Sequence, residues 1–443
     1  MKRHGYLYAG TAILLLAGAL RLAGLDRTGI EIDEAFSVQL AALSPADIVR
    51  GTVSDLHPPL YYLLLHAWIP LAGKSVFAVR LLSALLGWVT VALLLRVGHR
   101  AAPAIGLLAA ALLAISPPHL WYSQQARQYA LLTLLVTAST WLAWRWWSGA
   151  TAKGGAVPVL YVLTTLAALY THAFAFLALA AQTIAAVVLR QPSGQERWRT
   201  IRHWLTLQAL VLVGFAPWLP VMVDQSLHHS APWIPPLSWP VVRSSWIFML
   251  LGRDWAGSLV DYASALLGLG LFFAALWPTR WHPQNRRRQW DRSLVGWIAL
   301  WLAIPILLVL TIALFTPVYQ NKQLLIVVPA LALLLAAGCL RPAPRFVQIL
   351  LALTLATLMV HARYEQYVDP YRQSWEDVTA YLDAHASPGD LLYLNAAAAE
   401  LAIDYYLESD LEVAGYPADF QFDRGGWYGD VATPGIVQAR LDP

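Results

Sequence analysis

Cysteine is nearly absent. Cys339 stands alone in 443 residues, so the chain has no internal disulfide, no cysteine zinc site and no thiolate-held iron–sulfur cluster. Charge is scarce too. Only 13% of the residues are Asp, Glu, Lys or Arg, against 58% apolar and a mean hydropathy of +0.53, which excludes an ordinary soluble globular domain. The 30 basic and 26 acidic residues leave only +4, and that balance implies no nucleic-acid partner. No internal repeat is visible. What remains is apolar length, with 21 tryptophans that suit membrane interfaces.

A spanning helix needs about 20 mostly apolar residues. Segments 6–25, 75–96, 101–119, 128–147, 155–171, 173–190, 204–222, 261–278, 293–315, 323–340 and 346–361 meet or approach that, which predicts a polytopic all-α membrane protein with about eleven spans. Segment 58–71, from Pro58-Pro59 to Leu71, is apolar but short and reads as an interfacial or re-entrant helix. Most spans are unbroken.

Charge placement tests this topology. With the N-terminus inside, the inner loops hold Lys2, Arg3, Arg96, Arg100, Arg145, Lys153, Arg190, Arg197, Arg199, Arg202, Arg280, Arg286, Arg287, Arg288, Arg292, Arg341 and Arg345. They hold only Glu196 and Asp291 among the acidic residues, so the outer face is the acidic one. The first span is too long for a signal-peptide core and reads as an uncleaved anchor, placing the mature start near Met1. The protein is expected in the cytoplasmic (plasma) membrane. Its outer loops are 26–57, 120–127, a tight turn at 171–173, 223–260 and 316–322. Two domains follow: a membrane part, 1–361, whose outer loop 26–74 carries an acidic motif, and an outer tail, 362–443. The tail has 15 acidic and 4 basic residues and reads as helix, turn, strand, helix, a small α/β unit with a sparse core.

The residues suited to chemistry gather at the outer edge. Glu31-Ile32-Asp33-Glu34 follows the first span, and Asp55-Leu56-His57-Pro58-Pro59 leads into the short helix, which draws Asp55 and His57 towards the membrane. Ser116-Pro117-Pro118 to Gln124, Gln125, Arg127 and Tyr129 forms the next outer turn. Arg127 and Lys322 each sit just ahead of a span, where a cation also snorkels to the interface. Arg80 lies two turns into the second span, where a charge is costly without a partner, so it pairs with a carboxylate of the first loop in the structural reading. His172 stands at a tight turn, a place for a capping histidine as well as a functional one.

Asp33-Glu34-Ala35, Asp55-Leu56-His57-Pro58-Pro59-Leu60-Tyr61-Tyr62, Arg80-Leu81-Leu82-Ser83 and the stretch from Ser116-Pro117 to Tyr129 resemble the GT-C membrane glycosyltransferases. The nearest group is the protein O-mannosyltransferase-like and aminoarabinose transferase-like enzymes, glycosyltransferase family 39-like, and the likeness in layout runs over roughly residues 6–360. The resemblance implies a GT-C fold and transfer of a mannose-like or other hexose or pentose sugar from a polyprenyl phosphate, with inversion, to a glycan, lipid or protein acceptor outside. It places Asp33 on the family's catalytic aspartate and Glu34 on its acidic neighbour. Where the family often has an Arg-Tyr pair this chain has Lys322-Gln323, which keeps a cation and loses a bidentate donor.

The chemistry fits these residues. An acceptor hydroxyl needs a carboxylate to take its proton, and Asp33 is the candidate base. Charge grows on the leaving lipid phosphate, so cations there lower the barrier, and Arg127 and Lys322 suit that task. The catalytic set is therefore Asp33, Glu34 and Asp55; the substrate-binding set is His57, Arg80, Gln124, Arg127, Tyr129, His172 and Lys322. Glu31, Asp33, Glu34, Asp55 and His57 also compose an oxygen-rich set of the kind that holds a divalent ion in the oligosaccharyltransferase branch of the superfamily. The nearer relatives are thought to need none, so no metal and no cofactor are expected. The rival readings are a transporter or flippase of lipid-linked sugars, and a non-catalytic scaffold.

Overall fold

The computed structural model describes residues 3–149, 155–189, 195–228, 234–254, 257–277, 292–341, 343–368, 374–387, 389–394, 397–409 and 411–415. Lys2, Lys153, Arg190, Arg280, Arg286, Arg287, Arg288 and Asp291, used above for orientation, lie outside these residues, as does the tail beyond Gly415.

The chain is helical almost throughout. α1 (Arg3–Leu22) leads to three shorter helices, α2 (Ile32–Ala42), α3 (Pro45–Val53) and α4 (Leu60–Ala72), and then to α5 (Val76–Ala101). α6 (Pro103–Ile115) and α7 (Pro117–Ser123) are followed by α8 (Tyr129–Trp147), α9 (Ala156–Leu169), α10 (Ala175–Val188), α11 (Gln195–Phe215), α12 (Leu219–His228) and α13 (Trp239–Leu251). α14 (Leu259–Leu276), α15 (Arg292–Ala313), a 3-10 segment at Asn321–Val327 running into α16 (Val328–Cys339), and α17 (Arg345–Val368) complete the membrane part. Outside it lie α18 (Trp375–His385), β1 (Leu391–Leu394), α19 (Glu400–Tyr406) and β2 (Glu412–Gly415).

Seven described helical stretches are long and apolar enough to cross a membrane, and the α6–α7 pair makes eight. The count of eleven is reached only by adding α8, α9 and α10, of which α9 and α10 have 14 residues each and fall short of a straight crossing. α4 is short as expected. The α6–α7 span is broken, bent by 60° where Pro117 and Pro118 lack the N–H groups that would continue the ladder. Arg21 fills the gap, donating to the freed carbonyls of Ala114 (3.3 Å) and Leu113 (3.4 Å). Stretch 223–260, expected as an outer loop, contains α13, whose Ile247 to Leu251 are buried.

Packing places α16 at the centre, with nearly all of its span buried. α5 and α6 approach closely at Gly98 and Gly106, where a Cβ added to Gly98 would lie 2.5 Å from the Gly106 Cα. A second buried cluster lies outside the bundle and joins Ala35, Phe36 and Leu40 of α2, Tyr61, Tyr62 and Leu65 of α4, Val79, Ala126 and the tail residues Leu401 and Ala402. β1 and β2 pair in parallel, Leu391 opposite Glu412, with α19 between them in the chain as the crossover such a pair requires.

Candidate active site

Two consecutive acidic residues of α2 take opposite roles because neighbours on a helix point about 100° apart. Glu34 turns inward. Its Oε1 accepts from Arg80 Nε (2.8 Å) and the Ala126 N–H (2.8 Å), and its Oε2 from Arg80 Nη2 (2.6 Å) and the Glu31 N–H (3.1 Å), which caps the helix. Both partners of this ion pair have no exposed side-chain surface. Arg80 further donates to the carbonyls of Leu25, Thr28 and Gly29 at 2.8–2.9 Å, so one guanidinium organises the loop ahead of α2.

Asp33 turns outward and its side chain is 46% exposed. Arg127 lies behind it, with Nη2 3.8 Å from Asp33 Oδ2 and Nη1 donating to the Asp33 carbonyl (2.9 Å) and to Ser37 Oγ (3.3 Å). The Arg127 side chain is 6% exposed, and its Nε is buried without a hydrogen-bond partner among the described residues. The dense walls raise the Asp33 pKa, but the charges of Arg127 and Lys322, with His57, act the other way and outweigh them, so Asp33 titrates below the ordinary aspartate value. Burial opposes the charge of Arg127; Asp33, Tyr62, Tyr129 and Asp55 favour it and prevail, leaving its pKa raised.

Asp55 forms the second half. Its Oδ2 is 3.3 Å from His57 Nδ1 and accepts from the Tyr62 hydroxyl at 3.2 Å. Burial raises its pKa, yet His57 and the Arg127 charge bring it below the usual range. Gln225 of α12 holds the backbone here: its amide donates to the carbonyls of Thr52 (2.9 Å), Val53 (3.2 Å) and Asp55. The His57 ring meets that of His172 edge-on, centroids 5.1 Å apart. His172 Nδ1 accepts the Phe174 N–H at 3.1 Å, and burial, then the nearby charges of His57, Lys322 and Arg127, push its pKa well down, so it is neutral at physiological pH.

Lys322 closes the third side, its Nζ 5.5 Å from the centroid of the Tyr129 ring. Next to it, Asn321 donates to Asp254 (3.1 Å) and Ser244 (3.2 Å) and accepts from Tyr319 (3.0 Å), fixing the turn that presents the lysine. Gln124 faces inward, donating to the carbonyls of Leu20, Arg21 and Ala23 at 3.0–3.2 Å and accepting from Arg363.

The structure thus brings Asp33, Asp55, His57, Arg127, Tyr129, His172 and Lys322 together as one cluster of neighbours, and buries Glu34, Arg80 and Gln124 beside it. Tyr62, Ser37, Gln225 and Asn321 were not singled out from sequence. Tyr62 sat within the quoted motif, and Gln225 was a lone amide after an apolar run; neither carries a local signal of its partner. Among the described residues no three of His, Cys, Asp and Glu converge as a group able to hold a metal ion. The carboxylates are already engaged, Glu34 by Arg80, Asp55 by His57 and Tyr62, and Glu31 by Gln125 (3.3 Å).

ArnT from Cupriavidus metallidurans, in its apo state, is similar over 94% of this chain and 87% of its own, with a TM-score of 0.63 at 14% identity. The chain has the GT-C fold. The undecaprenyl phosphate-bound form of the same ArnT gives a TM-score of 0.56 over the same shares, again at 14% identity. The Archaeoglobus fulgidus oligosaccharyltransferase tethered with an acceptor peptide gives 0.54 at 11% identity, over 94% of this chain and 64% of that one. The family model for dolichyl-phosphate-mannose-protein mannosyltransferase matches residues 56–220, from just after Asp55 into the start of α12. No curated protein matches the sequence.

Proposed function

We propose that this chain is an inverting glycosyltransferase that moves a sugar from a polyprenyl phosphate to an acceptor hydroxyl on the outer side of the cytoplasmic membrane. One observation carries the reading: the half-exposed carboxylate of Asp33 lies 3.8 Å from the buried Arg127 guanidinium, and the charges of Arg127 and Lys322 both favour its ionised form. Asp33 takes the proton of the acceptor hydroxyl as that hydroxyl oxygen bonds to C1. The bond from C1 to the phosphate oxygen breaks with its electron pair, and Arg127 and Lys322 meet the growing phosphate charge. Asp55, fixed by His57, Tyr62 and Gln225, orients sugar hydroxyls. No metal takes part.

The GT-C fold, the match to the mannosyltransferase model and the undecaprenyl phosphate bound by ArnT support a lipid-linked donor. The rival transporter reading draws on the broken α6–α7 span, since transporters place ion sites at such breaks. Here Arg21 already occupies the freed carbonyls, which favours the enzyme. The test is transfer from a panel of radiolabelled polyprenyl-phosphate sugars to membrane extract, with the product anomer read by NMR. An inverted product supports the reading; retention, or movement of lipid across vesicles without transfer, sinks it.

A further inference from the structure

The described part of the outer tail shares a core with the helix that carries Asp33. Leu401 and Ala402 of α19 are buried in one cluster with Ala35, Phe36 and Val38 of α2 and with Tyr61 and Tyr62 of α4. Three hydrogen bonds tie α19 down. Gln39 Nε2 donates to the Leu401 carbonyl (3.1 Å), the Tyr405 hydroxyl donates to the Lys74 carbonyl, and the Tyr406 hydroxyl accepts the Ile30 N–H at 2.7 Å.

The last bond sits at a sensitive point. Ile30 is fully buried and precedes Glu31, which caps α2, and Asp33 is the second residue of that helix. The same loop is gripped by Arg80 through the carbonyls of Leu25, Thr28 and Gly29. Arg80 takes its acceptors and Tyr406 its donor at Ile30. A loop held by both fixes where α2 starts and hence where the Asp33 carboxylate stands relative to Arg127.

We propose that Tyr406 is a positioning residue for sugar transfer, so that the outer tail is a working part of the active site. This rests on the reading of Asp33 as the base. A buried Ile30 N–H left without an acceptor would loosen the loop, and misplacement of a catalytic group on the ångström scale is costly to rate while leaving remote binding intact.

The experiment compares wild type, Tyr406→Phe, Gln39→Ala and Asp33→Asn, each as the full chain in lipid nanodiscs. Two readouts are taken: hydrogen exchange of the peptide covering residues 25–36, and kcat and KM for the polyprenyl-phosphate sugar. Phe keeps the ring packing, so Tyr406→Phe is expected to speed exchange at Ile30 and lower kcat about 10-fold with KM within about two-fold. Gln39→Ala, which loosens α19 from its other end, is expected to give a smaller change in the same direction. Unchanged exchange in both Tyr406→Phe and Gln39→Ala overturns the clamp. Faster exchange with unchanged kcat overturns the positioning role, and transfer that persists in Asp33→Asn overturns the underlying reading while the exchange result still decides the clamp.

Discussion

Glu34 and Arg80 are joined by hydrogen bonds of 2.6 and 2.8 Å with neither side chain exposed, while Asp33, one residue earlier, faces the open side of the site. Removing one partner of a buried ion pair strands the other, at a cost of about 3–5 kcal/mol. Glu34→Leu is therefore expected to lower the Tm in detergent markedly and to reduce the yield of folded protein. Asp33→Asn is expected to leave the Tm near that of wild type. Equal losses in the two variants would mean that the two acidic residues do not divide structure and chemistry between them.

Gln225 provides a second test. Its single amide serves the carbonyls of Thr52, Val53 and Asp55, and losing it leaves buried acceptors short of a donor, at about 1–3 kcal/mol. Gln225→Leu keeps the bulk and removes the donor. Its expected signature is a fall in kcat larger than the change in KM for the lipid donor, because Asp55 shifts; steady-state kinetics at several donor concentrations separates the two.

The pH dependence follows from the direction of the Asp33 shift. The base form is the carboxylate, present above its pKa and lost as pH falls through it, and that pKa lies below the ordinary aspartate value because Arg127, Lys322 and His57 outweigh burial. The acid limb due to Asp33 is expected at correspondingly low pH. Arg127→Gln removes the strongest of those neighbouring charges and is expected to move this limb upward while lowering the rate at neutral pH. A limb that stays in place in Arg127→Gln would break the link between the two residues.

Close helix packing gives a prediction free of the chemistry. Gly98→Leu would drive side-chain atoms into α6 at Gly106, and overpacking of this kind costs about 1–3 kcal/mol or more. Gly270→Ala in α14 meets nothing within 4 Å and is expected to be neutral or mildly stabilising. Thermal unfolding of the pair checks both directions.

The membrane helices were legible because apolar length is a local property. The Asp33-Glu34 pair and the Asp55–His57 corner were legible as motifs, but the inward turn of Glu34 onto Arg80 depends on helix phase and on a partner 46 residues away. Gln225 lies 170 positions from Asp55, and nothing in its own neighbourhood announces that contact. α13 hid because 13 residues are too few for a straight span and its burial comes from neighbours such as α14 and α17. β2 hid because Glu412 to Gly415 is a strand only by pairing with Leu391 to Leu394.

The most direct measurement is sugar transfer by purified wild-type and Asp33→Asn protein, with and without EDTA, using a polyprenyl-phosphate sugar donor and membrane extract as acceptor. The account predicts transfer by wild type that survives EDTA and is abolished in Asp33→Asn while its Tm is unchanged. Transfer that persists in Asp33→Asn would contradict the assignment of the base, and transfer lost to EDTA would contradict a metal-free reaction.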